Sequence, residues 1–312
     1  MEMKLFHDFE EFGKESLGLD FDVFLPRSTK KSTWKSGRAA LNELKLRRVY
    51  HEGTGLLCKG TTRNGGYTIY VSGSNPEKVA WNGQRPTLDS LVVVKPGTEF
   101  CCASFGTNDW ISLYVPDNLL DAIQKDGNVT SPTEREEFCI RPDVPEGLGG
   151  VLKRLAAAAQ ANPDFLNASA AVDAAYSEAM NAVVRVLGDR KPEPDIHAGR
   201  PALSRKQIID KAMEYLETQD HIAVPIADLT AAAEVSERTL RAAFQEYFEI
   251  GPLRYMKMRQ LRDVRRLLRD ADPAVATVTS IAAQHGIWEI GRFAREYFLL
   301  FGEKPSETLR NR

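Results

Sequence analysis

Two short runs of polar side chains have the types and spacing needed to read nucleic-acid bases. In the first, Glu237, Arg238, Arg241 and Gln245 recur at the spacing that lines one face of a helix. In the second, Glu289, Arg292, Arg295 and Glu296 do the same. A guanidinium pairs with guanine O6 and N7, and a Gln amide with adenine N6 and N7. Each such pair is worth roughly 1–3 kcal/mol of discrimination. Lys257, Lys304 and Ser306 supply groups suited to phosphate oxygens, which fix position without reading sequence. Trp288, just before the second run, is assigned to packing, and His285 to a helix end.

Residues that could support catalysis are dispersed. Of His7, His51, His197, His221 and His285, only His51 falls in the strand-like part of the chain, and none shares a metal-ligand spacing. Lys95-Pro96-Gly97-Thr98-Glu99-Phe100 is a turn without a His, and no G-x-S-x-G, H-E-x-x-H or P-loop pattern occurs. Cys58, Cys101, Cys102 and Cys139 form neither a C-x-x-C pair nor a disulfide framework, which fits a reduced compartment. No metal, no cofactor and no enzymatic activity are expected. The net charge of −2 argues against a chain coated with nucleic acid throughout, though not against a local binding face. Residues 1–20 lack the basic and apolar regions of a signal peptide, and no run approaches the roughly 20 apolar residues of a membrane span. A soluble, cytoplasmic protein with no membrane partner is the expectation.

The elements that must hold the polar runs are helical. Ser204 followed by Gln207 is a capping-box start, and Ile208, Ile209, Ala212, Met213 and Leu216 continue as one apolar face. Residues 226–233 give a short helix, Glu234-Val235-Ser236 a tight turn, and residues 236–247 a third helix with Leu240, Ala243, Phe244 and Tyr247 inward. Two short helices joined this way, the second polar outside, form a helix-turn-helix. The arrangement repeats about fifty residues on. Residues 278–285 are followed by Gly286-Ile287-Trp288 and by residues 289–300, with Phe293, Tyr297 and Leu300 inward. Residues 253–269 join the units, with Leu253, Met256, Leu261, Val264, Leu267 and Leu268 assigned to the buried side. Arg254, Lys257, Arg259, Arg262, Arg265, Arg266 and Arg269 are assigned to the other side. At about 1.5 Å per residue that helix spans roughly 25 Å. With the reach of the flanking units, the two outward helices suit successive major grooves, about 34 Å apart. Residues 204–312 hold 17 Lys and Arg against 16 Asp and Glu, so charge alone does not carry this reading.

The first part of the chain has a different period. Between residues 21 and 115, runs such as Leu44–Tyr50, Tyr67–Val71, Leu91–Val94 and Trp110–Val115 alternate with Gly, Asn and Pro turn clusters. This predicts an antiparallel sandwich or barrel. Residues 1–20 read as a short helix through Phe6, Phe9 and Phe12. A helical pair over 147–187 follows, its second member carrying an Ala-rich stripe suited to close helix pairing in a homodimer. Tyr67, Tyr70, Trp81, Phe100, Phe105 and Trp110 are the candidates for a small-molecule pocket. Residues 188–203 are polar and Pro-rich, a linker. The expected organisation is therefore α+β: residues 1–187, a linker over 188–203, and an all-α domain of about seven helices over 204–312.

Three segments resemble a known family. Ile281 to Ile287, Arg292 to Tyr297 and Phe301 to Arg310 look like the C-terminal signature of AraC/XylS-type transcription regulators. Ser236 to Leu240, Phe244, Pro252, Tyr255, Arg259 to Leu261 and Leu267-Leu268 match its upstream half. The variant around Trp288, Gly291 to Ala294 and Phe301 to Glu303 is most similar to a subgroup that includes the ethanolamine-operon regulator. The resemblance implies sequence-specific binding to promoter or operator DNA and action as an activator with RNA polymerase. It also implies a cupin-like N-terminal domain that binds an effector of unidentified class and dimerises. A cupin-type metal enzyme fused to the DNA-binding module and a ligand-independent DNA-binding protein are the alternatives. Glu234 and Glu249 stand where the family usually has Gly, a strain on the order of 1 kcal/mol each. Ala242 replaces a common Arg.

Overall fold

Alternation of inward and outward side chains builds the first unit, and helical periodicity the second. A computed structural model describes residues 1–15, 19–26, 32–119, 138–143, 146–162, 164, 168–188, 204–219 and 224–310. Clustering separates a unit made of Met1–Phe24 and Ser32–Asp195 from one that ends in Ile196–Arg312.

The first unit contains two antiparallel sheets. The larger joins β1 (Met3–Phe6), β3 (Thr33–Leu41), β4 (Leu44–Glu52), β10 (Asn108–Pro116), β6 (Gly66–Ser74), β8 (Ser90–Val94) and β11 (Phe138–Pro142) in that order. The smaller runs β2 (Leu19–Pro26), β5 (Leu56–Thr62), β9 (Glu99–Ser104) and β7 (Val79–Trp81). Strand formation extends beyond residues 21–115 at both ends. The expected helix over residues 1–20 shrinks to α1 (Phe9–Lys14), because Met3–Phe6 pairs with the edge strand β3, Met3 opposite Gly37. Phe6 and Phe12 still meet, edge to face at 5.8 Å. Asn82 and Gly83 both take positive φ, the requirement of a two-residue hairpin turn, and Trp81 and Gln84 exchange both backbone hydrogen bonds across it.

Period-two geometry gives the large sheet two chemically distinct faces. One face packs Leu44, Leu46, Ile69, Val71, Leu91, Val93, Ile111, Leu113 and Val115 against α2 (Leu148–Ala161) and α3 (Ser169–Gly188). Ala175, Ala179, Ala182 and Val183 of α3 are buried in that same cluster. The Ala-rich stripe expected to pair with a second copy is thus consumed within the chain. Asp173, Ser177, Glu178, Asn181 and Arg185 occupy the exposed side of the helix.

The second unit contains, among the described residues, α4 (Arg205–Thr218), α5 (Ile226–Ala232), α6 (Glu237–Phe248), α7 (Pro252–Asp270), α8 (Val278–Gln284), α9 (Ile290–Phe301) and α10 (Pro305–Arg310). Ser204 caps α4 by accepting the Gln207 N–H at 3.2 Å, and the Gln207 side chain accepts the Ser204 N–H at 2.9 Å. Helix α7 buries Tyr255, Met258, Leu261, Asp263, Val264, Arg265 and Leu268. Leu253, expected inside, is 49% exposed, Met256 and Leu267 are half-buried, and Arg265, expected outside, is buried. The stripe is rotated and broadened because α7 packs against partners on more than one side. Arg265 reaches Glu303 at 2.9 Å and lies over the Phe301 ring at 4.9 Å, tying α7 to the end of α9.

Candidate functional site

Duplication is written in the backbone of the second unit. The turn between α5 and α6 places Glu234 at φ 55°, and the turn between α8 and α9 places Gly286 at φ 70°. The residues ending the two outward helices, Glu249 and Gly302, are also left-handed, at φ 51° and 74°. Glu at such positions lacks the freedom that makes Gly the default there. Ser236 caps α6 by accepting the Thr239 N–H at 3.2 Å. Thr277 and Ser280 form a capping box on α8. Aromatic stacks repeat as well: Phe244 and Phe248 lie 5.6 Å apart, Phe248 and Tyr255 4.9 Å, Phe293 and Tyr297 5.6 Å, Tyr297 and Phe301 4.7 Å. Both outward helices are therefore anchored by their inner faces.

On α6, Glu237, Arg238, Arg241 and Gln245 are all exposed on one face. Arg241 is held by Glu237 one turn back, at 2.8 Å from Nε. In the second helix-turn-helix, Glu289, Arg292 and Arg295 are exposed and Glu296 is half-buried. Arg292 bonds Glu296 at 2.8 Å and lies 3.9 Å from Glu289. The hydrogen bond that Arg292 donates to Glu296 raises the Arg292 pKa. Partial burial opposes ionisation of Glu296, but hydrogen bonds from Arg292 and from Lys257, 3.2 Å away, hold its carboxyl below the usual range. Lys257 is therefore engaged on the protein rather than extended to solvent. Among the described residues, Arg238, Arg295 and Lys304 are the cationic candidates with no ion pair. Lys304 is exposed and Ser306 half-buried. The Lys304 N–H is taken by Glu307 at 2.7 Å, so this carboxylate already occupies the start of α10. Trp288, expected to pack, is 78% exposed, because the second turn carries one residue more than the first and projects it outward. His285 is buried at the end of α8, where its carbonyl accepts from Gln260 at 2.8 Å.

The first unit contains a partly open cavity between its sheets. Tyr70, Trp81, Phe100 and Trp110 line it. Tyr67 does not; alternation along β6 turns it into the core under α2 and α3. Phe105 also lies outside the lining, beneath the Arg85 guanidinium at 5.1 Å. Sequence reasoning missed Arg47, Asn108 and Ser112. The signal for Arg47 was the alternation Leu46-Arg47-Arg48-Val49, where two successive Arg side chains obscure which face is inward. Burial settles it. Arg47 is 4% exposed inside, while Arg48 sits on the other face, bonded to Asp109 at 2.7 Å and Gln160 at 3.2 Å. Among the described residues, no three His, Cys, Asp or Glu side chains converge as a metal site requires, and no helix is long and apolar enough to cross a membrane.

A helix-turn-helix domain family model matches residues 229–311. The chain is 32% identical over 149 residues to a probable thc operon regulatory protein of Rhodococcus erythropolis, covering 48% of this chain and 44% of that one. It is 26% identical over 197 residues to a XylDLEGF operon transcriptional activator of Pseudomonas putida, covering 63% of this chain and 59% of that one. The chain thus spans about half the length of these curated relatives. A solved structure of a probable AraC family transcriptional regulator from Rhodopseudomonas palustris CGA009 is 38% identical, covering 33% of this chain and 94% of that one, with a TM-score of 0.31. None of the three is named as an ethanolamine-operon regulator. Residues 229–311 form a helix-turn-helix domain, and it is in this region that the chain resembles AraC/XylS-type regulators.

Proposed function

We propose that the chain is a transcription regulator that binds duplex DNA through both helix-turn-helix units and responds to a small molecule held by its N-terminal unit. The observation that carries the DNA-binding part is the duplicated pair of outward helices, each ended by a left-handed residue. Their inner faces are fixed by aromatic packing, and their outer faces present Arg238, Arg241, Gln245, Arg292 and Arg295. These are the donors and acceptors that pair with base edges in the major groove. The relatives support the same reading, since two are operon regulators by name and one is called an activator, which favours activation with RNA polymerase. The cavity of the first unit supports effector control, as a partly open space lined by aromatics and a few polar groups suits a small ligand.

Selection of bound duplexes from a random pool by the purified full-length chain tests the DNA-binding reading. Enrichment of one motif with two elements about a helical turn apart is expected. A pool that stays random after repeated rounds removes sequence-specific binding.

A further inference from the structure

Among the described residues, the cavity contains a charge with no carboxylate at ion-pair distance. Arg47 of β4 is inward-facing, and its Nε donates to Ser36 Oγ at 2.8 Å. Its planar group also lies 5.0 Å from the Phe12 ring centroid. Nη2 is buried and has no hydrogen-bond partner. Among the described residues, no carboxylate pairs with Arg47. Asp109, the acidic group in the cavity lining, is held by Arg48 through bonds of 2.7 and 3.2 Å. Burying an unpaired guanidinium is among the more expensive arrangements available to a fold.

Its neighbours share the deficit. Ser112 of β10 stands directly opposite Arg47 on one side and Tyr70 of β6 on the other, so the three form one cross-strand row. The Tyr70 hydroxyl is buried without a partner, as is Asn108 Oδ1, and both residues line the cavity. Burial pushes the Tyr70 phenol well above its usual range, so it remains a donor. Burial also lowers Arg47 to about 10, which leaves it charged at neutral pH. Beyond this row the lining turns apolar: the Trp81 ring is 4.5 Å from that of Tyr70 and 5.6 Å from that of Phe100, with Val79 and Val92 beside them. The free space, about 70 Å³, is several times what one buried water needs.

We propose that this cavity binds a compact organic monocarboxylate, its carboxylate held by Arg47 Nη2 and the Tyr70 hydroxyl and its apolar body seated against Trp81 and Phe100. This rests on the reading of the cavity as the effector site. A carboxylate fits because it accepts from a guanidinium and a hydroxyl at once and neutralises the buried charge. A sugar or an amine would leave the guanidinium unpaired.

Calorimetric titration of the purified full-length chain with phenylacetate, butyrate and the neutral isostere phenylacetamide tests it. The expected result is binding of a carboxylate at least tenfold tighter than the amide. Arg47→Met should abolish that preference while leaving the unliganded protein no less heat-stable. Tyr70→Phe should weaken carboxylate binding severalfold without affecting the amide. If Arg47→Met fails to fold, Tyr70→Phe and Arg47→Lys carry the same comparison. Equal binding of acid and amide, or a preference that survives loss of Arg47, overturns the carboxylate assignment and leaves the cavity as the effector site. If none of the three compounds binds at millimolar concentration, both assignments fail, while the DNA selection remains a separate test of the second unit.

Discussion

Arg292 is exposed, yet its guanidinium is held by Glu296, itself gripped by Lys257 from α7. A base must therefore replace an existing partner, which favours selectivity over raw affinity, since the wrong base offers nothing in exchange. Arg292→Ala is expected to weaken operator binding about tenfold or more at fixed salt, from the worth of a bidentate base contact, and to leave folding unchanged. An unaltered gel-shift titration removes Arg292 from the interface. His51 behaves in the opposite manner, as a structural group. It is fully buried, stacked on Trp34 at 5.3 Å, with Nδ1 3.0 Å from the Gly106 carbonyl, and burial lowers its pKa from 6.5 to about 4. Between those values the unfolded chain binds the proton and the folded one does not. Stability from this site is therefore present above about pH 6.5 and is lost as pH falls towards 4. The loss is on the order of 3 kcal/mol at one such site. Urea unfolding across that window should show the loss, and His51→Gln should flatten it. Equal pH dependence in the two proteins would assign the acid sensitivity elsewhere.

At the scale of elements, the two helix-turn-helix units differ most in their turns. Glu234 and Glu249 sit at positive φ where the second unit has Gly286 and Gly302. Replacing each Glu by Gly should relieve strain and raise stability by up to about 1 kcal/mol. Glu234→Gly should gain less, because it also loses the exposed 2.9 Å pair with Lys211. Denaturation of the full-length chain followed by helical circular dichroism measures both, and a lower midpoint in Glu249→Gly would show that its side chain outweighs the strain. These turns were legible in the sequence, since the resemblance marks Glu234 and Glu249 as standing where Gly is usual, and so was the Ser204 capping box. Period and capping are local, and local signals survive in a single sequence. The two faces of α7 were not legible. Which of its Arg residues is buried depends on Glu303 and Phe301, thirty or more residues away. Strands β5 and β9 escaped notice because Cys, Lys and Gly interrupt their β-forming residues, and β7 because it is only three residues long. Four of the six aromatic pocket candidates do line the cavity. Arg47, its central charge, stayed hidden because the facing of adjacent arginines is fixed only by register with β3 and β10.

For the molecule as a whole, charge distribution sets how DNA binding responds to salt. The chain is −2 overall, and many basic residues of the second unit are matched within it: Lys257 by Glu296, Arg262 by Asp263, Arg265 by Glu303. The long basic helix α7 is thus less a phosphate-binding rail than its sequence suggests. Arg254 and Arg266 remain exposed on α7, but docking by the two outward helices draws on their own exposed cations and on Lys304. Each phosphate neutralised releases condensed counterions and adds about −0.9 to the slope of log K against log salt on duplex DNA. Docking through those five cations alone should give a shallow slope, on the order of −4 to −5 for each bound copy. Lys304→Ala should flatten it by about 0.9 and weaken all sequences alike. Gln245→Ala should leave the slope unchanged and relax preference at one base pair. A slope twice as steep would mean that the ion pairs on α7 open on DNA and that this helix contacts the backbone after all. A slope near zero, with specificity intact, would contradict major-groove docking by both units.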